Sequence, residues 1–96
     1  MEVYKDRLID YSLGNFATYG WFSLKAETAL TVILEVRLDP SGRFVSGKLN
    51  SARQEGLGIP VLDPTGAAVR KIRALSDADF GALAPRIADD GTISLK

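Results

Sequence analysis

Apolar and polar residues alternate most regularly between Thr28 and Leu38. Leu30, Val32, Leu34, Val36 and Leu38 stand two apart, with Ala29, Thr31, Ile33, Glu35 and Arg37 between them. A period of two with this many β-branched side chains predicts a half-buried strand. Asp39-Pro40-Ser41-Gly42 supplies a tight turn, because proline fixes φ and glycine accepts a positive one. "FVSGKLNSARQ" then returns as a second strand, with Val45 and Leu49 expected on one face, so the pair forms an antiparallel hairpin. The N-terminus predicts another hairpin, in which "EVY" and "LIDYSL" flank the polar turn Lys5-Asp6-Arg7. In its second arm Ile9, Tyr11 and Leu13 make the better core face.

The period changes after Leu62. "EGLGIPVLDP" reads as an extended connection, and "DPTGAAVRKIRALS" as a helix with Asp63 at the N-cap and Pro64 at the first helical position. Ala68, Val69, Ile72 and Leu75 form its apolar stripe, and Arg70, Lys71 and Arg73 its wet side. Ser76 is expected to cap a further short helical turn, favoured by Asp77 and Asp79 near its start. Arg86–Ala88 and Thr92–Leu95 read as two short strands around Asp89-Asp90-Gly91. "ATYGWFSLKAE" has no period and is expected to be a packed loop. The fold class that follows is α+β, mainly antiparallel sheet built from hairpins, with one amphipathic helix toward the C-terminus. All of it fits a single domain over residues 1–96.

Composition narrows the chemistry. Lysine plus arginine equals aspartate plus glutamate at 12 each, so no basic excess points to nucleic acid or an anionic membrane. Cysteine and histidine are both absent, which removes disulfides, thiolate nucleophiles, imidazole metal sites and Ser-His-Asp triads. Chemistry based on carboxylates alone stays open. The longest apolar run, "TALTVILEV", is about half of the roughly 20 residues a membrane-spanning helix needs.

Each candidate site has a plain structural explanation. Gly56 and Gly58 do not lead from a strand directly into a helix, as a phosphate loop requires, so they read as a bend. Asp77, Asp79, Asp89 and Asp90 lack the EF-hand spacing and read as caps and turns. Arg70, Lys71 and Arg73, with Arg53, have no interleaved aromatics and read as a solvated face. Phe16, Tyr19, Trp21 and Phe22 read either as loop packing or as a surface for a partner. The stretch "YSLGNF" is the least ordinary, since Gly14-Asn15 stops a good strand and the aromatics follow.

"EVYKDRLIDYSLGNFATYG" resembles a segment of the capsule-synthesis, or poly-γ-glutamate-synthesis (CapA-type), family, of the calcineurin-like metallophosphoesterase superfamily. That family shows an apolar-ended hairpin with a basic turn, followed by Tyr-Ser-Leu-Gly-Asn-Phe, here Tyr11 to Phe16. It usually carries glycine where Asp6 stands, and an apolar or small residue in place of Asp10. "RQEGLGIPVLDPTG" and "IADDGTI" are similar to the tails of some members, less specifically. The resemblance implies a bacterial, cell-envelope setting and the C-terminal piece of a longer protein, whose Asp, Asn and His metal ligands lie upstream. It implies no catalytic, metal-binding or cofactor-binding residue in this chain, with divalent metals held only in the parent. Ser12, Gly14, Asn15 and Phe16 would form a loop bordering the parent's metal pocket. The strands would complete one layer of a metallophosphatase-like β-sandwich. The partner expected first is therefore the upstream part of the parent. An open sheet edge, through which the chain pairs with itself, is also expected. A free-standing binding module that uses its loop aromatics is the alternative.

Overall fold

The computed structural model describes residues 1–17 and 26–96. It has mixed α+β architecture. Glu2–Tyr4 (β1) and Arg7–Ile9 (β2) form a two-stranded antiparallel sheet. Leu30–Leu38 (β3), Phe44–Glu55 (β4), Ile59–Leu62 (β5), Arg86–Ile87 (β6) and Thr92–Ser94 (β7) form a five-stranded antiparallel sheet. One helix, Ala67–Phe80 (α1), packs on it. The order along the sheet is β3-β4-β7-β6, and β5 pairs the far end of β4.

The first hairpin turns in two residues rather than three. Lys5 and Asp6 both have positive φ, 48° and 64°, as a turn matching the right-handed twist of two strands demands. Arg7 already belongs to β2. The turn is anchored to the main sheet: the Phe44 N–H donates to the Asp6 carbonyl at 2.8 Å, and Arg7 Nη2 to the Ser41 carbonyl at 3.0 Å. The second arm ends at Ile9, so its inward face is not Ile9-Tyr11-Leu13. Val3 and Leu8 pack against the core instead, and Tyr11 and Leu13 lie exposed.

The central hairpin forms as its alternation predicts, with Leu34 opposite Leu49 and Val36 opposite Gly47. The strand begins at Leu30, because Ala26–Ala29 make a 3₁₀ turn. Its register shifts between Arg37, opposite Ser46, and Leu38, opposite Phe44. Val45 is therefore an extra residue on β4, a bulge. A one-residue insertion exchanges the two faces. Phe44 enters the core and Val45 points to solvent, reversing the expected placement of Val45.

"GIPVLDP" is partly a strand: Ile59–Leu62 pairs with β4, Ala52 opposite Leu62 and Gln54 opposite Pro60. Gly56 and Gly58 lie at its hairpin turn, where the Gly58 N–H donates to the Glu55 carbonyl at 3.0 Å. Proline is tolerated there because, among the described residues, β5 pairs with β4 alone and needs no donor toward its other side.

The helix starts three residues later than Pro64. Asp63 is spent on an Asx turn, accepting from the Thr65 N–H at 3.0 Å and the Thr65 hydroxyl at 2.7 Å. Gly66, in the left-handed region at φ 68°, becomes the N-cap. Ser76 caps nothing; the helix runs through it to Phe80 and a short 3₁₀ turn follows at Gly81–Leu83. It is buried, and its Oγ accepts from the Met1 amine at 3.0 Å.

The core joins Met1, Phe44, Leu49, Val69, Ile87 and Ile93, with Val32, Leu34 and Ile72 packed around it. Each fully buried side chain of the Leu49 or Ile93 kind contributes about 1.5–3 kcal/mol. The β6–β7 hairpin closes this core. Its turn is held by the Ala88 N–H to the Thr92 carbonyl and the Gly91 N–H to the Ala88 carbonyl, both 2.9 Å.

Candidate functional site: an apolar cleft beside Tyr11–Gly14

A cleft of about 470 Å³ opens between three walls. The stretch after β2, Asp10 to Gly14, forms the first. The start of β3, with Leu30 and Val32, forms the second, and α1, with Ala68, Ile72 and Leu75, the third. The floor is apolar because β3 and α1 turn their apolar faces toward each other. The rim is charged. Lys71 Nζ and Glu27 Oε1 meet at 2.9 Å, and Asp10 and Asp79 stand elsewhere on the lining.

The first wall is fixed at its foot. The Tyr11 ring stacks on Phe80 with centroids 5.3 Å apart and planes within 8°, joining the stretch to the end of α1. The Tyr11 hydroxyl donates to the Glu2 carboxylate. The bond stabilises the protonated phenol, and ionisation would set a second negative charge beside the carboxylate, so the Tyr11 pKa is raised above its ordinary 10.0, chiefly by this bond. Beyond Tyr11 the backbone is tied to side chains two residues back. The Ser12 N–H reaches Asp10 Oδ1 at 3.4 Å, and the Gly14 N–H reaches Ser12 Oγ at 3.2 Å. Gly14 has φ 66°, which turns the chain away from strand geometry. Tyr11 remains 63% exposed and Leu13 62%, so apolar surface stands open at the mouth.

Of the loop residues picked out from the sequence, Ser12 and Gly14 line the cleft. Asn15 and Phe16 follow along the chain, exposed and outside the lining. Tyr19, Trp21 and Phe22 lie outside the described residues. The other candidates disperse. Arg73 bonds Asp89 at 2.7 Å and the Ile87 carbonyl at 3.2 Å, Lys71 is taken by Glu27, and Arg70 by the Thr65 carbonyl. Arg53 lies with Glu55 at 2.8 Å and Asp63 at 3.4 Å. Asp77 pairs with Lys96 and Asp90 with Lys48, each at 3.7 Å. Among the described residues no three His, Cys, Asp or Glu side chains gather into a metal-holding group. No described helix is long and apolar enough to cross a membrane.

The far wall of the cleft was not readable from the sequence. Tyr11 and Phe80 are far apart along the chain, and no local period links them. Thr31 lies between the alternating apolar positions of β3 and is buried all the same, and its Oγ1 finds no hydrogen-bond partner among the described residues.

Compared with protein families, curated proteins and solved structures, the chain matches none.

Proposed function

We propose that this chain is the C-terminal, non-catalytic segment of a CapA-type, metallophosphatase-like capsule-synthesis protein, and that the cleft beside Tyr11–Gly14 is where the rest of that protein docks. The observation that carries the reading is the position of the family-like hexapeptide. Its apolar members Tyr11 and Leu13 stand exposed on a cleft wall instead of filling the core. Exposed apolar side chains on an apolar cleft mark a surface meant to be covered. The hairpin before it adds support. Asp6 sits at φ 64°, a conformation that suits glycine, the residue the family carries there. On this reading the antiparallel sheet supplies one layer of the parent's sandwich, and the parent's upstream Asp, Asn and His hold the divalent metals.

The open sheet edge belongs to the same reading as a place where the chain pairs with itself. A free-standing binding module is the second reading, favoured by the exposed Phe16 beside the exposed Tyr11 and Leu13. The test is the reading frame in the genome. An in-frame sequence upstream of Met1 with phosphoesterase-type Asp, Asn and His motifs supports the first reading. A frame that starts at Met1 discards it for the second.

A further inference from the structure

We propose that β3 pairs with the β3 of a second copy, antiparallel and about a two-fold axis at Val36. Among the described residues β3 is hydrogen-bonded to β4 alone, so its other edge is open. The strand is nine residues long and contains neither proline nor lysine, the residues that commonly blunt such edges. The bulge that disturbs this hairpin lies on β4, at Val45, and leaves β3 continuous.

The occupant is argued from self-complementarity. An axis through Val36 sets Val36 against itself, Leu34 against Leu38 of the copy, and Glu35 against Arg37 of the copy. Cross-strand neighbours share a face, so the leucines and valines meet on one side and the charges on the other. Val36 is 41% exposed and Leu38 56%, and the pairing covers both. Arg37 joins no ion pair among the described residues, and Glu35 is bound through one oxygen, which accepts from Asn50 Nδ2 at 2.6 Å. Glu35 to Arg37 in two copies thus make two opposite-charge pairs about the axis. Moving the axis by two residues to Leu34 sets Glu35 against Ile33 and Arg37 against Thr31 and loses both pairs, while moving it to Leu38 sets Arg37 against Asp39, beyond the end of the strand. The two five-stranded sheets would join into one.

The pairing rests on the open-edge part of the reading above and not on the cleft, which borders Leu30 to Val32 at the other end of the strand. Sedimentation equilibrium of the whole chain over a concentration series tests it. The expected result is a dimer, with Arg37→Glu weakening it about tenfold, because two attractive pairs become repulsive. Glu35→Arg combined with Arg37→Glu should restore it. The chain has no cysteine, so Val36→Cys should form an intermolecular disulfide under mild oxidation, whereas Cys at the exposed Leu57 should not. A monomer at millimolar concentration overturns the pairing. So does a dimer indifferent to the charge variants, or one that cross-links through position 57 and not 36. Leu13→Asp, in the cleft wall, should leave the dimer intact; losing the dimer there would move the interface to the cleft.

Discussion

Gly91→Ala should be the most damaging glycine-to-alanine substitution among the described residues. Gly91 has φ 88°, and a Cβ built on it would lie 2.0 Å from the Leu49 carbonyl oxygen. Contacts of real Cβ atoms essentially never fall below 3.0 Å, so the β6–β7 turn and β4 must separate by about 1 Å. Neither side can yield by changing a rotamer, because the obstacle is backbone. The same movement stretches the bond from the Leu49 N–H to the Gly91 carbonyl, now 2.8 Å, and loosens packing around Leu49 and Ile93, both fully buried. The backbone conformation alone costs an L-residue about 1–2 kcal/mol, and the lost hydrogen bond about 1 kcal/mol more. With the disturbed core the total should exceed about 3 kcal/mol, a large share of the 5–15 kcal/mol typical of a domain. Gly56→Ala is the control: φ is 55°, yet nothing lies within 4 Å of the added Cβ, so only the backbone cost applies. Urea unfolding followed by circular dichroism measures both. Equal losses in the two variants would refute the close approach of β7 to β4.

Further consequences can be measured on the same preparation. Ile93→Ala, with no exposed surface in the native state, should cost about 2–5 kcal/mol by urea unfolding. Asp6→Gly should leave stability unchanged or raise it by up to about 1 kcal/mol, since it relieves a left-handed backbone; a clear loss would contradict the two-residue turn. Asp39, Asp63 and Asp90 are held below their ordinary 3.8, chiefly by the Arg43 N–H, the Thr65 hydroxyl and the Thr92 N–H respectively. Their folded pKa values are lower than their unfolded ones, so the stability they give is present above about 3.8 and is lost as pH falls through the folded values. Thermal unfolding should show a decline on the acid side of pH 4, reduced when Asp63 is changed to Asn. Phosphodiesterase assays with manganese should be blank for this chain, and turnover would overturn the non-catalytic reading.

The sheet was largely legible because β3 alternates cleanly and the turn after it carries Asp, Pro and Gly. What escaped lies where a local rule was overridden. The bulge at Val45 exchanges two faces without any change in composition, so Phe44 replaced Val45 in the core. Asp63 is as good a residue for an Asx turn as for a cap, and the turn won because Thr65 offers it both an N–H and a hydroxyl. Ser76 suits a helix start in isolation, but burial against the Met1 amine satisfies its hydroxyl inside a continuous helix. The cleft was half legible. Gly14-Asn15 announced a break after the strand, whereas α1 and β3 complete the site through contacts that no sequence period encodes.

Docking on the cleft can be followed residue by residue by nuclear magnetic resonance titration. Labelled chain would be titrated with the upstream segment that the proposed function requires. Amide shifts should concentrate at Tyr11 to Gly14 and at the Leu30 and Ile72 walls, and Leu13→Asp should abolish them while Leu57→Asp should not. Shifts that leave Tyr11 to Gly14 untouched would contradict docking there.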